Sequence, residues 1–293
     1  MTAYIFPGQA AQFEGMGRDL YDTDPTAKQL MERANDLLGY RLTDVMFTGS
    51  AEALKETRIT QPAVFLHSIV KARLAGNDFQ PGAVAGHSLG ELSALVAANA
   101  LSFEEGLKLV RERAEAMQVA CEQNPGTMAA IVGMEDAQIE AICADIADEV
   151  VIPANYNCPG QLVVSGSVAG VERVVAACQA AGARMAVLLP VGGAFHSPLM
   201  QPAQERLRAA IEAADFQAPV CPVYQNVDAA PHTDPAAIRT NLIAQLTAPV
   251  RWTHTMRRLI ADGVTGFVET GGNGKTLRGF VKRLDRKFPA RAL

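Results

Sequence analysis

The pentapeptide GHSLG at 86–90 has the G-x-S-x-G spacing of a nucleophilic serine on a sharp turn. The apolar run at 82–88 predicts a strand, and the helical spacing of apolar residues over 89–100 predicts a helix. In such a turn a Cβ atom on either side of the serine would collide with the neighbouring backbone, which explains the two glycines. We interpret Ser88 as a nucleophile at the positive end of the following helix. The alternative is an ordinary turn between a strand and a helix.

A serine hydroxyl needs a base, and histidine is the usual one. His196 lies in VGGAFHSPLM at 191–200, a glycine-rich loop that could return an imidazole to a cleft, and we interpret it as the base. The alternative is a loop that only precedes a helix, with Ser197 as its cap and Pro198 in its first turn. The other histidines are predicted to be structural (His87), in the core (His67) or at the surface (His232 and His254).

An acidic residue that would orient this histidine is not evident. Asp136, Asp145 and Asp148 fall between the serine and the histidine, as an α/β-hydrolase order requires. All three are predicted to lie in the first helix of residues 126–192, which is a poor place from which to reach the turn at Ser88. A pair of serine and histidine, with a main-chain carbonyl as the orienting group, is therefore consistent with the sequence.

Two glycine-rich segments resemble nucleotide-binding loops without matching them. GGNGKT at 271–276 follows a predicted strand, but a phosphate-binding loop would need glycine at 269, where Glu269 stands. GQAAQFEGMG at 8–17 lacks the G-x-G-x-x-G spacing of dinucleotide-binding proteins. We interpret the segment at 8–17 as a loop that lends backbone N–H groups to the cleft.

Strands and helices alternate along most of the chain, which predicts an α/β fold with a largely parallel sheet. Residues 126–192 differ, because their pattern predicts the order β-α-β-β-α-β of a ferredoxin-like (split βαβ) subdomain. We predict a core of residues 1–125 and 193–293 and a small inserted subdomain at 126–192.

Overall composition excludes several classes of protein. With 49% hydrophobic and 19% charged residues the chain is predicted to be globular. The net charge of −5 argues against a nucleic-acid-binding protein. The last 43 residues, 251–293, nevertheless hold ten Lys or Arg against three Asp or Glu. That basic segment is either a solvated surface or a site for a phosphorylated ligand or an acidic partner.

Cysteine spacing and apolar runs bear on the cellular location. The five cysteines show neither a disulfide framework nor the spacing of a zinc site, so no bound metal is expected. The N-terminus lacks the basic start and apolar core of a signal peptide, and no apolar run approaches the length of a membrane span. We expect a cytoplasmic protein without a membrane partner and, because no oligomer is evident, a monomer.

Several blocks in order resemble the malonyl-CoA:acyl-carrier-protein transacylases of bacterial type II fatty acid synthesis. The matching blocks are FPGQ (6–9), TQPAVF (60–65), GHSLGELSALVAA (86–98), LVRERAEAMQ (109–118), MAAIVG (128–133), NCPGQLVVSG (157–166), GAFHSPLM (193–200), NVD (226–228) and QLTAPVRW (245–252). The resemblance implies an α/β-hydrolase-like core with a ferredoxin-like small subdomain. It implies malonyl-CoA as the substrate, acyl carrier protein as the partner and no permanently bound cofactor.

The resemblance also assigns residues. It implies Ser88 as the acylated nucleophile, His196 as the base and the main-chain carbonyl of Gln245 as the group that orients it. Further positions follow in the same way: Gln9 and Leu89 for the oxyanion hole, Arg113 for the malonyl carboxylate, and Phe195 for preference over a branched methylmalonyl group. A planar guanidinium suits a carboxylate, because it can donate two parallel hydrogen bonds.

The chain departs from the family pattern at two loops. Ala10-Ala11 replaces the usual Gly-Ser after FPGQ, and residues 271–274 replace a Gly-Pro-Gly near the C-terminus, which predicts a more mobile loop. Two alternatives to the fatty acid enzyme stay open: a free-standing acyltransferase of a polyketide synthase, and a serine thioesterase or esterase.

Overall fold

Two β-sheets form the centre of the protein, and the computed structural model describes all of its residues, 1–293. Ten strands build the sheets: β1 (Thr2–Phe6), β2 (Ala83–Gly86), β3 (Thr127–Val132), β4 (Val151–Cys158), β5 (Gln161–Gly166), β6 (Met185–Leu188), β7 (Val223–Tyr224), β8 (Pro231–His232), β9 (Gly266–Glu269) and β10 (Ala290–Ala292). Thirteen α-helices accompany them: α1 (Arg18–Thr23), α2 (Pro25–Leu38), α3 (Leu42–Thr48), α4 (Ala51–Lys55), α5 (Thr57–Leu74), α6 (Gly90–Ala97), α7 (Phe103–Gln123), α8 (Asp136–Asp145), α9 (Val168–Ala180), α10 (Gln201–Ala213), α11 (Pro235–Ala244), α12 (Trp252–Ala261) and α13 (Thr276–Leu284).

Local sequence signals set the helix boundaries. The side chain of Asp24 caps the start of α2, where Pro25 occupies the first turn, and Gly39 in the left-handed conformation ends it. The hydroxyl of Ser102 caps α7 in the same way. Helices α2, α5 and α7 pack against one another and bury the largest apolar core of the protein.

The larger sheet has the strand order β10-β9-β1-β2-β7-β8. The strands from β10 to β7 are parallel, whereas β8 pairs antiparallel with β7. The sheet is therefore largely parallel, as predicted, with one antiparallel edge strand, because β7 and β8 are joined by a connection too short for a parallel crossover. Since parallel strands end at the same edge, the loops after β1, β2, β7 and β9 all begin at one side of the sheet.

The smaller sheet is antiparallel, with the order β4-β5-β3-β6. Its chain order, β3-α8-β4-β5-α9-β6, is the one predicted for 126–192. Ala129, Ile131, Val171 and Val174 belong to an apolar cluster between this sheet and α8 and α9. Val250 exchanges main-chain hydrogen bonds with β4, which ties the smaller sheet to the rest of the chain.

The basic C-terminal segment is folded rather than a free tail. Helix α13 buries Leu277 and Val281, and β10 adds a parallel edge strand next to β9. Lys282, Arg286 and Lys287 remain exposed on this segment. None of the helices of the protein is both long enough and apolar enough to cross a membrane.

Ala10 generates a prediction about stability, because its φ of 74° lies in the left-handed region where a Cβ atom is strained. Ala10→Gly removes that strain, and we expect it to raise the free energy of unfolding by about 0.5–1 kcal/mol, net of the greater chain entropy of glycine. Urea denaturation measures the change. Ala181→Gly is the matched control, since Ala181 is also exposed but has a φ of −79°. Ala181→Gly should lower the free energy of unfolding. An equal decrease in Ala10→Gly would show that glycine relieves no strain at position 10.

Candidate active site

The turn from β2 to α6 is compressed around Ser88. A Cβ atom on Gly86 would lie 1.9 Å from the carbonyl group of Gly90, and one on Gly90 would lie 2.0 Å from the carbonyl oxygen of Phe6. Only glycine fits at these two positions. Ser88 itself has a φ of 52°, the left-handed conformation of a strained turn. The turn therefore projects the side chain of Ser88 at the edge of the sheet where the loops after β1, β7 and β9 begin.

The side chain of Asn226, in the loop after β7, forms hydrogen bonds with the turn on both sides of His87. Its side-chain oxygen accepts a hydrogen bond from the N–H of Ser88 at 2.7 Å, and its Nδ2 donates to the carbonyl oxygen of Gly86 at 2.6 Å. With the Ser88 N–H occupied in this way, the next free backbone donor of the turn belongs to Leu89.

The backbone N–H groups of Leu89 and Gln9 donate to no acceptor within the protein. The two loops that carry them are adjacent, because a Cβ atom on Gly8 would lie 3.7 Å from the nitrogen of Leu89. Leu89 also precedes the first turn of α6, where the partial positive charge of the helix is concentrated. Two unused donors beside a serine are the components of an oxyanion hole.

His196 lies beside Ser88, 108 residues away in sequence. Its Nε2 is 2.7 Å from the Ser88 Oγ, and its Nδ1 is 3.0 Å from the carbonyl oxygen of Gln245. Since a carbonyl can only accept, Nδ1 carries the proton and Nε2 accepts from the serine hydroxyl. Burial, together with the charge of Arg113, lowers the pKa of His196 to about 3, so the imidazole is neutral near pH 7.

Arg113 places a buried cation against the same hydroxyl. Its side chain is 1% exposed, and Nη2 donates to the Ser88 Oγ at 2.9 Å and to Gln245 Oε1 at 3.2 Å. Nη1 donates to Gln61 Oε1 at 2.8 Å. Burial lowers the pKa of Arg113 to about 10, which leaves it charged at neutral pH. All its partners are neutral oxygens, so the guanidinium is a buried cation without an anion in contact, which favours a carboxylate ligand.

Gln245 connects the parts of the site. Its main-chain oxygen accepts from His196, and its side chain accepts from Arg113 through Oε1 and donates to the carbonyl oxygen of Ser88 through Nε2 at 3.0 Å. Gln245 is 2% exposed and begins a short 3₁₀ turn after α11. One residue therefore fixes the imidazole, the guanidinium and the turn relative to one another.

The remaining residues singled out from the sequence have different environments. Phe195 directly precedes His196 and is buried in the main core. His87 turns away from Ser88, and its Nε2 lies 2.8 Å from Asn157 Oδ1. His67 is buried in α5, His232 pairs with Asp228, and His254 is exposed on α12. The loop at 271–274 packs against the loop after β1, where the N–H of Asn273 donates to the carbonyl oxygen of Ala11.

Three buried polar residues of the site received no role from the sequence: Gln61, Glu91 and Asn226. Glu91 interrupts an otherwise apolar helical stretch, which is the signal that could have identified it, whereas Gln61 follows the polar residues Arg58 and Thr60 at the start of its stretch. Asn226 carries no such signal, because its contacts with the turn at Ser88 join residues 138 and 140 positions apart.

The geometry has the parts that acyl transfer from an acidic acyl group requires. A serine hydroxyl meets a neutral imidazole, two free N–H groups lie nearby, and a buried guanidinium stands at the reacting oxygen. No group of three or more His, Cys, Asp or Glu side chains is placed to hold a metal ion.

The sequence of the chain is similar both to a known protein family and to individual proteins of established name. Residues 3–285 match the family described as acyl transferase domain. The chain is 43% identical to the malonyl CoA-acyl carrier protein transacylase of Bacillus subtilis (strain 168), over 98% of this chain and 91% of that protein.

Solved structures agree with the sequence matches. The malonyl CoA-acyl carrier protein transacylase from Coxiella burnetii superposes with a TM-score of 0.96 at 39% identity, over 100% of this chain and 93% of that one. A malonyl-transacylase in complex with its type II PKS acyl-carrier protein gives a TM-score of 0.95 at 38% identity, over 100% and 95%. By its family match and its similarity to full-length relatives, the chain belongs to the acyl transferase family and, within it, to the malonyl CoA-acyl carrier protein transacylases.

Proposed function

We propose that this protein transfers the malonyl group of malonyl-CoA to the phosphopantetheine thiol of acyl carrier protein in fatty acid synthesis. The observation that carries the proposal is the convergence of His196 Nε2 and Arg113 Nη2 on the Ser88 Oγ, at 2.7 and 2.9 Å. The names of the relatives support the substrate and the carrier. No permanently bound cofactor is needed for this chemistry.

In the first half of the reaction the Ser88 Oγ attacks the thioester carbon while its proton passes to His196 Nε2. The N–H groups of Gln9 and Leu89 stabilise the oxyanion of the tetrahedral intermediate. The carbon–sulfur bond then breaks, His196 gives its proton to the sulfur, and CoA leaves with malonyl-Ser88 behind. Burial disfavours a charged His196, so the imidazole holds this proton only between the two transfers.

In the second half the thiol of the carrier protein repeats these steps in reverse. His196 removes the thiol proton, the sulfur attacks the ester carbon of malonyl-Ser88, and the carbon–oxygen bond breaks. The Ser88 Oγ recovers the proton from His196, and the malonyl thioester leaves on the carrier. We propose that the Gln245 carbonyl keeps the imidazole in one tautomer throughout, in place of an acidic residue.

Arg113 and Phe195 are the proposed determinants of acyl choice. The malonyl carboxylate supplies the anion that the buried Arg113 lacks, whereas an acetyl group leaves the guanidinium without one. Phe195 fills the side of the acyl pocket where a methyl branch of methylmalonyl would lie. These roles are supported by burial and position in the chain.

We also infer an α/β-hydrolase-like core of residues 1–125 and 193–293 and a ferredoxin-like subdomain at 126–192. The β-α-β-β-α-β order of the second segment and its own apolar cluster support this division. Helix α13 packs against β4, which places exposed Lys282 near the smaller sheet, and exposed Arg286 and Lys287 follow the helix in the chain. We infer that these three cations are suited to CoA phosphates or an acidic carrier.

A carrier from polyketide synthesis is the second candidate, because one structural relative was solved with a type II PKS acyl-carrier protein. Transfer rates to a fatty acid carrier and to a polyketide carrier, measured side by side, separate the two. A higher kcat/KM for the fatty acid carrier supports the first proposal, and the reverse order supports the second.

Formation of the acyl-enzyme tests the nucleophile. After incubation with malonyl-CoA, intact-mass spectrometry should show one malonyl adduct on the wild type and none on Ser88→Ala. Ser93→Ala is the matched control, since Ser93 is buried on α6 and has no hydrogen-bond partner. An unmodified wild type would rule out the scheme, and rapid release of free malonate without a carrier would favour a hydrolase.

The selectivity of the site tests Arg113. Removing a charged hydrogen-bonding group from a buried site costs about 2–3 kcal/mol, so Arg113→Ala should lower kcat/KM for malonyl-CoA roughly 100-fold and raise relative transfer of acetyl-CoA. Arg111→Ala is the control, because Arg111 lies on the same helix and donates to the Leu37 carbonyl outside the site. Unchanged selectivity in Arg113→Ala would remove the carboxylate assignment.

A further inference from the structure

Glu91 is a carboxyl group with no exposed surface, three residues after Ser88 in the first turn of α6. Its Oε2 accepts the main-chain N–H of Asn226 at 2.8 Å, and its Oε1 accepts Nε2 of Gln225 at 3.0 Å. A carboxyl group that faces only donors is arranged to be ionised, because a protonated oxygen would need an acceptor.

A closed ring of bonds runs through this carboxylate. Glu91 holds the backbone of Asn226, and the Asn226 side chain clasps Ser88 and Gly86. The chain from Ser88 into α6 then returns to Glu91 after three residues. The strained φ of Ser88 lies inside this ring, and the ring occupies the Ser88 N–H while it leaves the Leu89 N–H free.

We propose that ionised Glu91 is a positioning residue for Ser88 that acts through Asn226. It makes no hydrogen bond to the Ser88 hydroxyl or to His196, so its effect on the reaction passes through the conformation of the turn. The inference rests on the proposed role of Ser88 as the nucleophile. Protonation of Glu91 at Oε2 opens the ring, because that oxygen then presents a hydrogen to the N–H of Asn226 instead of accepting from it.

The surroundings of Glu91 set the pH range of this effect. Burial raises its pKa to about 7, and the charge of Arg113 on α7 opposes that rise. The other titratable groups nearby are engaged: His87 with Asn157, His196 with Gln245, and, in the loop after β7, Asp228 with His232. Since the pKa of His196 is lowered to about 3, the imidazole does not gain a proton near neutral pH, and we expect a loss of activity below about pH 7 from the protonation of Glu91.

Rapid-quench measurement of malonyl-Ser88 formation from pH 5.5 to 8.5, a range of roughly 1.5 units either side of neutrality, tests the proposal. Glu91→Gln should lower kcat roughly 10- to 100-fold at pH 8, which is the effect of one charged hydrogen bond, without changing KM. The acidic limb, meaning the fall in the acylation rate as the pH drops below about 7, should be absent in this variant. Glu269→Gln is the matched control, since Glu269 is equally buried and accepts from the N–H groups of Leu277 and Arg278 at the start of α13. It should keep the acidic limb.

A double-mutant cycle tests the route through Asn226. Asn226→Ala removes the clasp, so adding Glu91→Gln to it should lower kcat no further. Additive losses, or an acidic limb that persists in Glu91→Gln, would overturn the proposal. If circular dichroism shows that Glu91→Gln does not fold, the pH dependence of acylation in Asn226→Ala is the test. The acidic limb should be absent in Asn226→Ala, and its presence would overturn the proposal.

Labelling of Ser88 by a fluorophosphonate separates this inference from the proposed function, because the probe needs no malonyl group. Wild type should label faster above pH 7 than below it, and Glu91→Gln should label slowly at both. A wild type that labels in this way but takes no malonyl group would contradict the proposed function and leave the positioning role standing. Equal labelling of wild type and Glu91→Gln would overturn the positioning role.

Discussion

The whole site depends on the left-handed conformation of Ser88 at the end of β2. That conformation costs about 1–2 kcal/mol for a residue with a side chain, so its surroundings must hold it. Gly86 and Gly90 let the backbone of β1 and α6 approach within distances that exclude a Cβ atom, and Asn226 ties down the peptide groups on either side. The resulting turn aims one hydroxyl and one free N–H into the same space.

Buried charge is the second constraint. Arg113 has no carboxylate in contact, and the acid whose field reaches it, Glu91, is itself fully buried. Each of these groups is solvated by fixed amides rather than by water: Gln61 and Gln245 face the guanidinium, and the donors of Gln225 and Asn226 face the carboxylate. Such fixed dipoles do not reorganise during a reaction, which makes them effective at a site where charge moves.

Much of the fold could be predicted from the sequence, because hydrophobic periodicity and turn residues are local signals and the order of elements can be read along the chain. The strand and helix around Ser88 and the β-α-β-β-α-β order of 126–192 follow from periodicity and turns. The antiparallel β8, the edge strand β10 and the roles of Asn226 and Glu91 did not follow, because each depends on pairing between distant segments. A single sequence gives the residues of such pairs but not their register.

The charge of Arg113 links acyl choice to the base in the proposed reaction. This charge helps to lower the pKa of His196, and Arg113 Nη2 donates to the same oxygen that His196 would deprotonate. A malonyl carboxylate at Arg113 offsets part of that positive field, so the imidazole becomes a stronger base when the acidic substrate is bound. An uncharged acyl group leaves the field intact and the base weak. We therefore propose that the guanidinium discriminates in the chemical step as well as in binding, which is the form of selectivity that raises kcat rather than affinity alone.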